Sequence, residues 1–476
     1  MSRNAMNELS FIPLNNAFKI IYLIFSSIFL IFWLINFILE GTGFKDFYLQ
    51  NEEEYYWKNY KNLILTNKGI IWLVLTTFLE NNLKNHQDNQ FRKIAICLWS
   101  VFILSNFVSF KLIAVLYSYQ ILFFVVSKFI RSKFIIWTLY FLLTTLFEKK
   151  NFSKFVELNS GQFDFMYIVY MTDSFLKIIS FCSDKIDSNN QQMNFTNYFY
   201  YLNHPTFLFP GLFVPFKNFI QIDQPNKFKD KKKILFLSIK VVLYGIIIEF
   251  FARFTSIFSM FDSIDDSFET FSTFTMLVAI PIRCTLSGLI SYNTFGMANI
   301  FHMLNGVETT ELPRCAFFIS SFSEMWRNWN SGVHLFIKNY VYAPLGGKKR
   351  SKIEYIMSLT ASFIFSAYYH GFSSEFIFWA FINIIVMYIE SFLFNQLFNN
   401  EWFSKKNSHQ KRAIASVLLG LSQINCFYFQ FLFICHKDIV FHFINILMVK
   451  SSYLVSLITL TYCFQQIRFE KYDFYY

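Results

Sequence analysis

Charged residues are scarce in this sequence. Asp, Glu, Lys and Arg fill 15% of its 476 positions, where a soluble globular domain carries about a quarter. No CxxC pair occurs among the seven cysteines (Cys97, Cys182, Cys284, Cys315, Cys426, Cys435 and Cys463), which indicates neither a zinc site nor a disulfide framework. They read as small core hydrophobes. No small-residue cleavage site closes the apolar run from Ala17 to Leu39, which is also too long for a signal peptide and reads as a first membrane helix that stays. No internal repeat is visible, and charged residues are not spread over several apolar runs, so a transporter or channel ranks last. No hydrolase elbow surrounds the Ser320, Ser321 and Ser323 hydroxyls.

What is abundant is apolar: 54% of residues are hydrophobic and the mean hydropathy is +0.36. AT-rich coding sequence also yields Phe, Ile, Asn, Lys and Tyr, so the 67 Phe and 27 Tyr are discounted. Base composition does not, however, group apolar residues into long runs. The net charge of +11 comes largely from clusters between those runs, such as Lys227–Lys233, Lys348–Lys352 and Lys405–Arg412. Loops facing anionic headgroups have this pattern, and a nucleic-acid partner is not expected.

A helix needs about 20 apolar residues to cross ~30 Å of hydrocarbon. Clear spans are expected near 17–39, 93–109, 111–130, 133–147, 233–254, 353–370, 374–397, 411–435 and 440–465. Weaker ones lie near 62–80, 164–182 and 270–300, the last either two segments or one kinked at Pro281. The expectation is an all-α multi-pass protein of ten to twelve transmembrane helices. It forms a single membrane domain over 1–476, with N-terminal helices to 160, a core over 161–400 and C-terminal helices over 401–476. Pro205, Pro210 and Pro215 prevent a continuous helix over 193–222, so that aromatic stretch should be irregular, at the interface or inside the protein. Residues 44–60 look like a short interfacial helix.

The longest polar stretch runs from Pro313 to Lys352. Glu324, Arg327, Asn328, Asn330 and His334 are expensive at membrane depth unless they face protein or a cavity. The segment is therefore expected to dip in as a re-entrant or buried helix rather than span. On one helix, Trp326, Asn330 and His334 would share a face, and the helix should end before Pro344, with Gly346-Gly347 turning into a basic loop. The next helix ends in SAYYHG, placing His370 before Gly371. Histidine takes and gives protons near neutral pH, and an Asn amide donates to developing charge, so His370 and Asn330 suit acyl transfer. Arg327 and the Lys348-Lys349-Arg350 loop are candidate anchors for a phosphorylated acyl carrier.

MWRNWNSGVHLFIKNYVYAPLGG resembles, without gaps, the signature segment of the membrane-bound O-acyltransferase family. Trp326, Arg327, Trp329, Asn330, Tyr340, Tyr342, Pro344, Leu345, Gly346 and Gly347 fall on its pattern, and His370 stands where the family has its histidine. MTDSFLKIISFCSD at 171–184 and the stretch ending FLFPGLFVPFKNF look like further landmarks. Gly306-Val-Glu and Leu312-Pro-Arg-Cys315 resemble the lead-in of the Hedgehog-acyltransferase and glycerol-uptake-protein branch. The similarity covers roughly residues 165–400. It implies a helical bundle around a central tunnel, with re-entrant or buried helices. His370 and Asn330 would be catalytic, and Trp326, Arg327, Trp329, Tyr342, Lys348, Lys349 and Arg350 would bind the acyl carrier or substrate. No metal or resident cofactor is implied; acyl-CoA is the co-substrate, and the acceptor is a hydroxyl or amine of a lipid or protein. Met325 replaces the usual Phe and Tyr369 the usual Trp, both keeping apolar bulk. Asn330 departs from the His or Asp more common in that branch, which leaves the acceptor open.

His334 reads as structural or tunnel-lining, His204 as packed or interfacial, and Glu375 and Glu390 as helix-end or buried-pair residues. The alternative to an enzyme is a catalytically silent subunit of a larger membrane complex. An endoplasmic-reticulum or other endomembrane location follows from the resemblance, with the mitochondrial inner membrane as the alternative.

Overall fold

The computed structural model describes residues 16–43, 55–66, 68–83, 89–146, 162–187, 192–223, 230–255, 257–258, 273–307, 309–315, 319, 321–347, 351–398, 400–434 and 457–466. Its regular structure is helical, with no strand among the described residues. In chain order the helices are α1 (Asn16–Gly43), α2 (Tyr55–Lys61), α3 (Gly69–Leu83), α4 (Asn89–Ser105), α5 (Phe110–Phe129), α6 (Lys133–Leu146) and α7 (Gln162–Asp187). There follow α8 (Phe195–Asn203), α9 (Phe216–Phe219), α10 (Lys231–Phe254), α11 (Thr273–Leu304), α12 (Phe322–Trp329) and α13 (Ser331–Ile337). The chain continues through α14 (Lys352–Tyr369), α15 (Ser374–Phe398), α16 (Glu401–Ser404), α17 (Ser408–Ile434) and a helix over 457–466.

Among the described residues, three helices are long and apolar enough to cross a membrane: α5, α10 and residues Ser374–Gln396 of α15. The pair Trp57–Leu65 and Gly69–Leu83, bent by 53°, passes the same test together, as a broken span or a re-entrant loop. Their outward faces are apolar, as in Leu235, Ile239, Val242 and Ile246 of α10, all exposed, because lipid rather than water is their solvent. Of the 270–300 region, the described residues form one helix, α11, running through Pro281. Of the expected interfacial helix at 44–60, residues 55–60 are helical and 44–54 lie outside the described residues, as does most of the 440–465 span.

The core sits on the aromatic-proline stretch. Phe195–Asn203 is helical, Pro205–Phe207 a single 3-10 turn, and residues 208–215 non-helical, as three prolines at five-residue spacing require. The stretch lies inside the protein rather than at the interface: Tyr198, Tyr200, Tyr201 and Leu202 are 0% exposed. Its polar groups are satisfied internally. The Tyr201 hydroxyl donates to the Val214 carbonyl (2.6 Å) and Tyr200 to Glu80 (2.8 Å). Glu80, Arg92, Lys93 and Asp223 form a buried charge cluster, in which Lys93 lies 2.8 Å from Asp223 and donates to Asn197 at 2.7 Å. Buried charge is tolerable there because each member has a partner.

Candidate active site

At ~1.5 Å per residue, α12 and α13 are roughly 12 and 10 Å long, far short of ~30 Å of hydrocarbon. Neither helix alone is long enough to span. The expectation of one continuous helix is corrected: the chain breaks at Asn330 (φ −136°, ψ 87°), which ends α12 and starts α13. Its Oδ1 accepts the Val333 N–H (3.0 Å), satisfying a donor that a helix start leaves open. Trp326, Asn330 and His334 consequently do not lie along one helical face. The asparagine's Nδ2 remains as a donor on a half-buried side chain.

Alpha-12 is fixed at its start. Ser321 Oγ accepts from the Glu324 N–H (3.1 Å), and Glu390 of α15 accepts from the Phe322 N–H (2.9 Å) and the Ser323 N–H (3.4 Å). The Ser422 hydroxyl of α17 also donates to Glu390. A carboxylate facing the first turn complements the helix dipole. Glu390→Ala should cost about 1–2 kcal/mol, read as a lower unfolding temperature, because it strands two amides and a hydroxyl. Glu375 stands in the first turn of α15, so helix ends account for both acids.

The signature residues are largely architectural. The Tyr340 hydroxyl donates to Asp184 of α7 (2.9 Å), joining the signature to the 171–184 landmark. Tyr342 ends a π-turn over Lys338–Tyr342, before Pro344 as expected, and its ring covers Gly347. The Gly347 N–H donates to Ser358 of α14 (3.0 Å). Gly332 lies against the aromatic-proline stretch: a Cβ there would meet the Phe213 nitrogen at 2.4 Å. Arg327 turns back on its own helix, Nε donating to the Ser323 carbonyl (2.8 Å) and a terminal nitrogen to Ser323 Oγ (2.7 Å). Trp329 is half-buried at the end of α12. Met325 is buried beside Phe322 and Cys426, filling the expected apolar position. Lys348, Lys349 and Arg350 lie outside the described residues.

His370 ends α14 in a Schellman arrangement: the Phe372 N–H donates to the Ala367 carbonyl (2.9 Å) and the Gly371 N–H to the Tyr368 carbonyl (3.0 Å). Gly371 takes φ 107°, which explains the glycine after the histidine. His370 is exposed, with its ring stacked on Phe376 (centroids 5.4 Å apart) and edge-on to Trp379 (6.4 Å).

Two contacts bring the helices of Asn330 and His370 together. Trp326 donates from Nε1 to Asn383 (2.8 Å) and meets Trp379 edge-on at 5.0 Å, so one tryptophan touches both the signature helix and His370. Phe336 of α13, fully buried, stacks on Phe365 of α14 at 5.5 Å. Burial, with Arg327 and Lys338 adding to it, pushes the His334 imidazole down to about 4, so it stays neutral. His204 is fully buried, its Nδ1 2.8 Å from Thr206 Oγ1, so it is a packed residue.

Sequence reasoning missed Asn383, Asp184, Gly332 and Ser358. Asn383 was findable as a lone amide within an apolar run; the others have no signal outside their spatial partners. It also missed Lys177, 2% exposed, whose amine lies 3.9 Å over the Phe207 ring that the buried His302 contacts at 4.6 Å.

With that geometry in place, the family model "MBOAT, membrane-bound O-acyltransferase family" matches residues 129–436, nearly two thirds of the chain and more than the 165–400 read from motifs. The chain is 35% identical over 97 residues to the mouse "Protein-cysteine N-palmitoyltransferase HHAT", covering 20% of this chain and 19% of that protein. It is 27% identical over 97 residues to the Drosophila melanogaster "Protein-cysteine N-palmitoyltransferase Rasp", with coverage of 20% and 19%. With the Saccharomyces cerevisiae "Membrane-bound O-acyltransferase GUP2" it shares 22% identity over 209 residues, 43% of this chain and 33% of that protein. The matched regions thus span a third or less of these relatives' length.

Proposed function

The chain belongs to the membrane-bound O-acyltransferase family, and from that premise we propose that it is a membrane-embedded acyltransferase moving an acyl group from an acyl thioester, acyl-CoA, to a hydroxyl or amine of a lipid or protein acceptor. The observation that carries this reading is His370, an exposed residue ending a helix locked to the one that begins at Asn330. The imidazole takes the acceptor's proton as its oxygen or nitrogen attacks the thioester carbonyl. The Asn330 Nδ2 donates to the oxygen on which charge develops. The carbon–sulfur bond then breaks, and the thiolate leaves as coenzyme A thiol with the proton that His370 held. No covalent enzyme intermediate and no metal enters this sequence.

The remaining helices would complete a bundle of ten to twelve spans around a tunnel, with the carrier's phosphates near the 348–350 loop. An endomembrane such as the endoplasmic reticulum is the proposed location. The silent-subunit reading draws on one observation, that Tyr340, Gly347 and Arg327 serve internal bonds and the Tyr342 ring covers Gly347.

The test is thiol release from long-chain acyl-CoA by the purified full chain in lipid nanodiscs, offered lipid alcohols and N-terminal peptides. Acceptor-dependent release is expected; none with either acceptor class would refute the reading. Asn330 separates its two duties. Asn330→Ser keeps an oxygen for the Val333 amide, so unfolding is unchanged while turnover falls by about 10²-fold. Asn330→Ala loses the same turnover and also about 1 kcal/mol of stability. If serine is as active as wild type, the amide has no chemical role.

A further inference from the structure

Lys240 is the outlier on α10, the most hydropathic of the three spanning helices. It lies nine residues beyond Lys231, roughly 14 Å along the axis at the usual helical rise, on a segment that otherwise reads VVLYGIII and LFLSI. An ionisable side chain at such a depth needs a partner. Neither Lys240 nor Lys233, one step nearer the helix start, has a carboxylate within ion-pair distance among the described residues. The Lys240 amine instead lies over the Phe236 ring at 4.5 Å, extended back toward the N-terminal end of α10, the direction in which helical side chains lean.

Both lysines line a groove of about 680 Å³ between α10, α11 and residues 307–315. Its floor is apolar, with Leu237, Leu289 and Met303. Of the acids on its rim, Glu311 is paired to Arg314 (2.9 Å) and Asp230 caps α10 through the Lys233 N–H (3.1 Å). Lys233 and Lys240 are left as cations on the groove's lining. Two lysines beside apolar lining residues, on a helix whose Leu235, Ile239 and Val242 are exposed, have the chemistry that suits a phosphate-headed lipid. The phosphate supplies the charge-assisted partner that Lys240 lacks, and the acyl chain covers Leu237 and Met303.

We propose that this groove is a binding site for a phosphate-headed membrane lipid, distinct from the acyl-transfer site. It also backs onto that site. Ser331, next to Asn330, bonds through its hydroxyl to Thr310 Oγ1 (2.8 Å) and to the Glu311 carbonyl, so the groove wall buttresses the helix break.

Gly288 makes the site testable. It lines the groove, and a Cβ there meets nothing within 4 Å. The full chain is placed in phosphatidylcholine nanodiscs doped with a diazirine-bearing phosphatidic acid, photolysed, and its adducts mapped by mass spectrometry. Adducts concentrated on residues 233–244, 285–292 and 303–315 are expected. Gly288→Trp should reduce them to background, whereas Gly288→Ala keeps them. Lys240→Met should cut the preference for phosphatidic acid over a diacylglycerol probe by roughly tenfold, the worth of one charge-assisted contact. Should Gly288→Trp fail to fold, the Lys240→Met ratio decides. Unlabelled phosphatidic acid should compete and inorganic phosphate should not. Even labelling of the outer faces of α10 and α15, an unchanged ratio in Lys240→Met, or full competition by inorganic phosphate would each overturn the proposal. The readout is lipid rather than product, so it fails or holds independently of the acyltransferase reading.

Discussion

His370→Ala should abolish acyl transfer, by about 10²–10⁴-fold, and leave the protein folded. The rate loss is what removal of a positioned general base produces. The fold survives because the turn after His370 is made by backbone groups, the Phe372 and Gly371 amides closing on Ala367 and Tyr368, and by the positive φ of Gly371. The His370 ring itself only stacks on Phe376 and lies edge-on to Trp379 at the helix end. Unfolding by heat should therefore change little, while thiol release from acyl-CoA falls to the acceptor-independent rate. His370→Gln, which preserves shape and polarity without a titrating nitrogen, should behave the same way. Either variant turning over at the wild-type rate would remove His370 from the chemistry.

Gly332→Ala should have the opposite profile, breaking the fold rather than the chemistry. A methyl at this position would sit 2.4 Å from the Phe213 nitrogen and 3.1 Å from the Leu212 carbonyl carbon. Both contacts are backbone, which cannot rotate aside as a side chain does. The opposing segment has little room to retreat: Leu212, Phe213 and Val214 are buried, and Val214 is held by the Tyr201 hydroxyl. Overpacking against fixed backbone should cost on the order of 3 kcal/mol or more, seen as lost monodisperse protein in detergent and a sharply lower unfolding temperature. Gly288→Ala is the matched control. Its methyl meets open space, and alanine's better helix propensity should leave stability equal or raised by up to about 1 kcal/mol. Equal melting of Gly332→Ala and wild type would show that the segment at 211–215 yields, and that the two landmarks are not rigidly joined.

The sequence shows helical class and membrane residence because both rest on one-dimensional signals, run length and charge scarcity. The signature and the histidine forty positions on are likewise a linear pattern. The break at Asn330 was not legible. The same three residues read equally well as a stripe on one helix, since the i, i+4, i+8 spacing holds whether or not the backbone stays helical. What decided the matter was a local competition in which the asparagine side chain takes the Val333 amide. Serine and glycine directly after it weaken helix continuation. Pairings such as Tyr340 with Asp184 and Trp326 with Asn383 join residues 156 and 57 positions apart, and no spacing rule reaches them. Glu390 is an intermediate case: its burial was foreseeable, its service to the start of α12 was not.

The double role of Asn330 also limits how this position can be rewritten. A side chain there holds the helix start when it accepts from the Val333 amide, which favours short oxygen-bearing residues. Among these the proton chemistry differs widely: an amide donates, a hydroxyl does either, and a carboxylate accepts or titrates. An exchange to aspartate would therefore alter the acid–base character beside the acceptor without disturbing the backbone. Acceptor preference can thus drift, or be engineered, one substitution at a time on an unchanged scaffold.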